Sequence, residues 1–304
     1  MEVLLIIVIS LHLVCVLTAG GAPLIALVLH GRRMQQRLDV SQPGGAKLIL
    51  WSIVGLWVGT FLGLLIGWLK WDDVYSAKLS VLSNKVFYLG LEWLFSMVFL
   101  SCVYWWWRRN ETVRGWRHVV RALVILLASL NLLHHFPSFF SAMGAISNDV
   151  ALAGVKLSSS QFNELAFQSA GISKTLHVVM VSIMMGAASL TLLCTREYVL
   201  GGTVDQGWSR LAQWAARTTF VTFVIIVPTG IWAVMNMTEV RMDAIMGDDS
   251  AATICFGLAM LLVVAQMHQW SQIAFGKVEV RKVAQAITTL ITTVILMTCI
   301  SQLS

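Results

Sequence analysis

The chain has 304 residues, 58% hydrophobic and only 12% charged, with a mean hydropathy of +0.78. Soluble domains carry about 25% charged residues, so this composition excludes one and defines an integral membrane protein. The net charge of +6 is accounted for by basic residues flanking the membrane spans and calls for no nucleic-acid partner.

Eight stretches reach the ~20 apolar residues that cross a bilayer. They lie near 3–30, 46–69, 86–107, 118–138, 171–194, 211–236, 251–275 and 282–302. The first is expected to remain as a helix. It starts Met1-Glu2 with no basic segment, and its apolar run is too long for a signal peptide. It carries His12 and, further on, Gly20, Gly21 and Ala22. The third holds Glu92, and Trp105, Trp106 and Trp107 close it. With Trp68 and Trp71 these tryptophans are expected to form an aromatic belt. The fourth opens on Arg117-His118 and carries His134 and His135, with Pro137 marking its expected end. Residues 139–170 are expected to be a polar outer loop, Ser-rich at Ser158, Ser159 and Ser160, with Phe139, Phe140 and Phe162 at the interface.

The fifth span carries His177 and then Gly186, Ala187 and Ala188, and the sixth ends near Gly230-Ile231-Trp232. The loop from Asn236 to Ser250 holds Glu239, Arg241, Asp243, Asp248 and Asp249. A solvated acidic loop is the plain expectation; a docking site for a periplasmic partner or a quinol entrance is the alternative. Cys15, Cys102, Cys194, Cys255 and Cys299 all fall inside spans. They are expected to be buried small hydrophobes rather than a disulfide framework. No Cys-x-x-Cys-His is present, which excludes covalently attached c-type haem.

The fifth span echoes the first at an offset of 165 residues (177 − 12). Leu11-His12, Val14, Val16, Gly21-Ala22 and Leu27 face Leu176-His177, Val179, Val181, Gly186-Ala187 and Leu192. Gly67-Trp68 is echoed by Gly230-Ile231-Trp232, and Arg117-His118 by Arg281-Lys282. Four spans per half is an even number, so the copies share one orientation, a parallel repeat. The expected architecture is all-α: a four-helix bundle over 1–138, an outer linker over 139–170 and a second four-helix bundle over 171–304. Of the 21 Lys and Arg, 15 fall in or beside the loops after spans 1, 3, 5 and 7. By the positive-inside rule both termini lie outside, N-out and C-out, in a bacterial inner membrane.

An imidazole or carboxylate within hydrocarbon is costly without a partner and marks a functional site. Depth along the spans gathers His12, His177, Glu92, His134 and His135 in the outer half of the membrane. His12 and His177 are the first candidates for metal or haem ligands, because they recur at one spacing. His134 and His135 are weaker, since adjacent residues point about 100° apart on a helix. His30, His118 and His268 lie towards the inner ends, where interface roles suffice.

These residues resemble subunit I of the cytochrome bd quinol oxidases over roughly residues 3–200. Similar features are His12 through Ala22 in the first helix and Val58-Gly59-Thr60-Phe61-Leu62-Gly63 in the second. The third helix matches at Tyr88-Leu89-Gly90-Leu91-Glu92-Trp93-Leu94-Phe95 and the fourth at Arg117-His118 and Ala128-Ser129-Leu130-Asn131. His177 falls where the family's fifth helix carries the histidine of its low-spin haem b. The resemblance implies haem-ligand roles for His12 and His177 and a part for Glu92 in haem and proton chemistry. The chain departs from the family in its outer loop after the sixth span, about fifteen residues long and shorter than the family's, and in lacking Gly-Arg-Gln-Pro-Trp. Ile254-Cys255-Phe256-Gly257 stands where the family has a methionine ligand; Met260 and Met267 are the alternatives for it.

The resemblance implies a haem b subunit of a respiratory complex, passing electrons between membrane quinone and a periplasmic cytochrome c, iron–sulfur protein or other redox partner. A terminal oxidase subunit reducing oxygen with haem d is the second reading. A haem-free scaffold or membrane anchor is the third.

Overall fold

A computed structural model describes residues 2–36, 41–109, 115–200 and 206–303. Two of the 15 basic residues in or beside the loops after spans 1, 3, 5 and 7, Arg37 and Arg114, lie outside the described residues. All regular structure among the described residues is helical: α1 Glu2–Gln36, α2 Ser41–Leu69, α3 Asp73–Val81, α4 Ser83–Arg109, α5 Trp116–Ala145, α6 Asn148–Leu152, α7 Ser159–Phe167, α8 Ser169–Leu200, α9 Gln206–Met235, α10 Glu239–Asp243, α11 Ser250–Phe275 and α12 Val280–Leu303. Eight of these are long and apolar enough to cross a membrane: α1, α2, α4, α5, α8, α9, α11 and α12. Hydrocarbon offers no partner to backbone N–H and C=O groups, so helices that pair them internally are the favoured solution for such segments.

The helices pack chiefly as α1 on α2 and α8, α8 on α9, α4 on α5, and α11 on α12 and α9. Helix α8 is the most enclosed of the eight. It meets α1 where neither helix tolerates a side chain. A Cβ on Gly21 would stand 1.7 Å from the Ser182 carbonyl oxygen, and one on Gly186 would stand 2.5 Å from the Gly21 carbonyl carbon. Small residues allow this backbone approach, and dispersion between the surfaces holds it.

The α1–α2 contact rests on a glycine ladder. Gly55, Gly59 and Gly63 recur every fourth residue and so share one face of α2. Cβ atoms there would come within 2.9 Å of the Cys15 carbonyl oxygen, 2.8 Å of Val16 Cγ1 and 3.0 Å of His12 Cε1. Hydrogen bonds also cross this interface, one of them at a proline. Pro23 lies inside α1 and has no N–H to give the Ala19 carbonyl four residues back. Ser52 Oγ of α2 donates to that carbonyl instead, at 2.6 Å, with Ala19 and Ser52 both fully buried.

The structure corrects several expectations. Pro137 does not end the fourth span; α5 runs through it to Ala145. A proline removes one N–H donor and kinks a helix, but unwinding would strand several more backbone groups. The 139–170 linker is largely helical. Ser158 opens α7 through a capping box, its Oγ accepting from Gln161 N at 3.3 Å while Gln161 Oε1 accepts from Ser158 N at 2.9 Å. The serine cluster is thus a helix start. Phe139 is buried with Val81, Leu82, Ile146 and Ala151, and Phe162 packs partly buried on that cluster. Phe140 is exposed.

Within the Asn236–Ser250 loop, α10 and a π-turn at Ala244–Asp248 replace the expected irregular chain. Asp249 caps α11 by accepting from Ala251 N and Ala252 N at 2.8 and 3.0 Å, which gives that acid a structural role. Among the tryptophans, Trp68, Trp71 and Trp105 are exposed as a belt requires, but Trp107 is buried. It lies edge-on to His30, whose ring stacks on His118 with centroids 3.7 Å apart. The fully buried Arg121 guanidinium lies 5.3 Å from the Trp107 ring centre. Cys194 is a buried small hydrophobe as expected. Cys102 is exposed, and Cys15, Cys255 and Cys299 are half-buried.

Candidate functional site

The α1 residues that face the glycine ladder are spaced at three to four: His12, Cys15, Val16 and Ala19. His12 therefore reaches α2 at Gly63, where the missing Cβ leaves room for its ring. His12 Nδ1 lies 2.8 Å from the Gly59 carbonyl oxygen. A carbonyl only accepts, so Nδ1 carries the proton and Nε2 keeps its lone pair.

The second half repeats this arrangement with different atoms. The His177 ring lies against Gly230 of α9, where a Cβ would stand 3.2 Å from Cε1. His177 Nδ1 is 3.4 Å from Thr229 Oγ1. That hydroxyl donates to the Ile225 and Ile226 carbonyls at 3.2 and 3.0 Å. With its proton on one of those carbonyls the hydroxyl can accept from His177 Nδ1, the tautomer that would leave Nε2 unprotonated as in His12. Gly230 thus matches Gly63 in what it does, whereas Gly67, its sequence echo, has only Tyr75 Oη within 4 Å of its Cβ position.

Glu92 and the paired histidines form a third arrangement, between α4 and α5. Asn131 Nδ2 donates to the Glu92 carbonyl and to Ser96 Oγ, both at 2.8 Å, locking the two helices in register. The Glu92 carboxylate lies 3.8 Å from His135 Nε2, both side chains partly exposed. That is ion-pair range but longer than a hydrogen bond. His134 turns away, its ring 5.0 Å from that of His135 and stacked at 6.0 Å on Phe167 of α7.

The four histidines and the carboxylate expected in the outer half of the membrane thus fall into three separate helix-pair arrangements. Among the described residues no group of three or more His, Cys, Asp and Glu side chains is placed to hold a metal ion. The physical reason is that each helix pair uses its own polar residue. His12 is engaged by α2, His177 by α9 and Glu92 by His135. Sequence reasoning missed Thr229, and it missed Gly55, Gly59 and Gly63 as a ladder. The Gly-x-x-x-Gly spacing was the available signal for the ladder. Thr229 had none, because one threonine in an apolar helix is unremarkable.

No protein-family model matches the chain, and no curated protein sequence matches it. Among solved structures, the bd oxidase from Geobacillus thermodenitrificans is similar, with a TM-score of 0.76 over 99% of this chain and 85% of that one, at 12% identity. The protein is thus an all-helical, multi-pass membrane protein with a bd-oxidase-like fold. At that identity the likeness speaks for the fold alone.

Proposed function

We propose that the chain is a haem b-binding electron-transfer subunit of a respiratory membrane complex, in which His12 and His177 are the residues that would hold haem. The observation that carries this reading is the matched state of the two rings. Each has Nδ1–H given to the neighbouring helix, Nε2 left with its lone pair, and a glycine beneath the ring. Haem-ligating histidines need that arrangement, since a bond at the distal nitrogen fixes the tautomer and raises ligand basicity. Bound there, haem supplies one-electron transfer through its iron. The Gly59 carbonyl and the Thr229 hydroxyl orient the two rings. Where several protein side chains would be required to hold a bare ion, an iron carried in a macrocycle requires one or two.

Membrane quinone and either a periplasmic cytochrome c or an iron–sulfur protein are the proposed redox partners. Further membrane subunits complete the complex, in the bacterial inner membrane with both termini outside. The likeness to a bd oxidase favours a second reading, a terminal quinol oxidase subunit that reduces oxygen with haem d; Glu92 would then serve its proton chemistry. A pyridine haemochrome assay with a reduced-minus-oxidised spectrum of the purified protein separates these. Haem b alone supports the first reading, and a haem d band promotes the second. An absence of haem from membranes of the native host overturns both and leaves a scaffold. His12→Ala and His177→Ala should each remove the signal of one haem, and unchanged spectra in both would reject these ligands.

A further inference from the structure

The cysteines near the open end of the last hairpin are not accounted for by haem chemistry. Cys255 lies five residues into α11, and Cys299 lies four residues before the end of α12. The two helices run antiparallel, which brings these positions to the same level. Their sulfurs stand 3.9 Å apart. Both side chains are half-buried, whereas Cys194 is buried.

We propose that Cys255 and Cys299 form a redox-active dithiol that closes to a disulfide between α11 and α12. An S–S bond is about 2.05 Å long. Closure therefore requires the two sulfurs to approach from their 3.9 Å separation. The oxidant is a disulfide of low molecular weight. One protein thiolate attacks a sulfur of that disulfide and expels the first small thiol. The second protein thiolate attacks the mixed disulfide and expels the other. Two protein thiols lose two electrons and two protons, and the small disulfide becomes two thiols.

The position of the pair determines what closure does. The hairpin is already joined at its other end by the short Gly276–Glu279 turn, and Gln266–Thr293 and Gln269–Thr289 hydrogen bonds of 2.8 and 3.2 Å hold its middle. The Cys255 Sγ–Cys299 Sγ contact of 3.9 Å lies at the opposite end from the turn. Three residues beyond Cys299, Gln302 accepts from Lys70 Nζ at 2.6 Å. Closure therefore fastens α11, through α12, to the end of α2 beside α3. Oxidation state then sets how firmly this face of the second bundle is held to the first.

The test uses the full-length protein in detergent, with Cys102→Ser as background because Cys102 is exposed. Samples are treated with oxidised glutathione or with a phosphine reductant, denatured, alkylated with N-ethylmaleimide and weighed by intact mass. The expected result is four alkylated thiols after reduction and two after oxidation, with no glutathione retained. After tryptic cleavage at Lys277, the segments bearing Cys255 and Cys299 should stay joined until reduced. Further substitution of Cys255→Ser or Cys299→Ser should leave three thiols under reduction and abolish the joined segments. Four alkylated thiols after oxidation, or glutathione held on either cysteine without ring closure, would overturn the proposal.

Discussion

At the scale of single residues, the functional information lies in which ring nitrogen is engaged. The sequence made His12 and His177 conspicuous, because polar side chains in hydrocarbon are rare and these two recur at one spacing. It did not reveal what held them. That depends on a carbonyl and a hydroxyl contributed by other helices, and on two glycines whose only contribution is space. Thr229→Val keeps the shape of the side chain but removes the acceptor at His177 Nδ1. Loss of such a partner typically costs about 10–100-fold in metal affinity. Under the proposed haem role, cofactor retention at His177 should fall by that order on dilution, Thr229→Ser should restore it, and the His12 signal should stay. Gly63→Ala places a methyl group 3.0 Å from His12 Cε1. The ring must tilt by a few tenths of an ångström, so under the proposed haem role the expected result is a shifted absorption band with the haem retained, read in the reduced-minus-oxidised spectrum.

At the scale of helices, length and hydropathy located all eight spans, since bilayer thickness imposes both on the sequence. Ends and connections were less legible. Pro137 suggested a terminus because proline breaks helices in water, whereas at membrane depth the alternative to a kinked helix is worse. Ser158 through Gln161 suggested a loop by composition, although Ser-x-x-Gln also spells a capping box. Two helix contacts make testable demands. Gly21→Val would drive its side chain into the Ser182 backbone, which cannot move without moving α8. Overpacking costs about 1–3 kcal/mol in soluble cores and occasionally more. This substitution should reach or exceed the upper end, measured as thermal unfolding in detergent. In the α11–α12 seam, Gln266 donates to Thr293 while its own Oε1 is buried without a partner. Gln266→Leu discards that orphan acceptor and should be close to neutral. Thr293→Val keeps it and orphans the amide N–H as well, so it should be the more destabilising by about 1 kcal/mol.

At the scale of the whole molecule, α1 and α8 cross at Gly21 and Gly186, the positions that correspond at the 165-residue offset. A two-fold-related repeat would bring equivalent residues together in this way. The basic residues predict the orientation independently of that repeat. A membrane-impermeant protease applied to intact cells should remove epitope tags fused to either end; protection of both tags would reverse the proposed topology. The bond between Ser52 and the carbonyl freed by Pro23 bears on biogenesis. Inserted alone, α1 would carry a bare carbonyl oxygen into lipid, at a cost of several kcal/mol. The cost ends when α2 arrives with its serine, and only one axial alignment of the two helices supplies it. The hairpin of α1 and α2, rather than either helix, is therefore the smallest piece of this chain that can rest in the bilayer without a debt, and a translocon should be expected to release the two together.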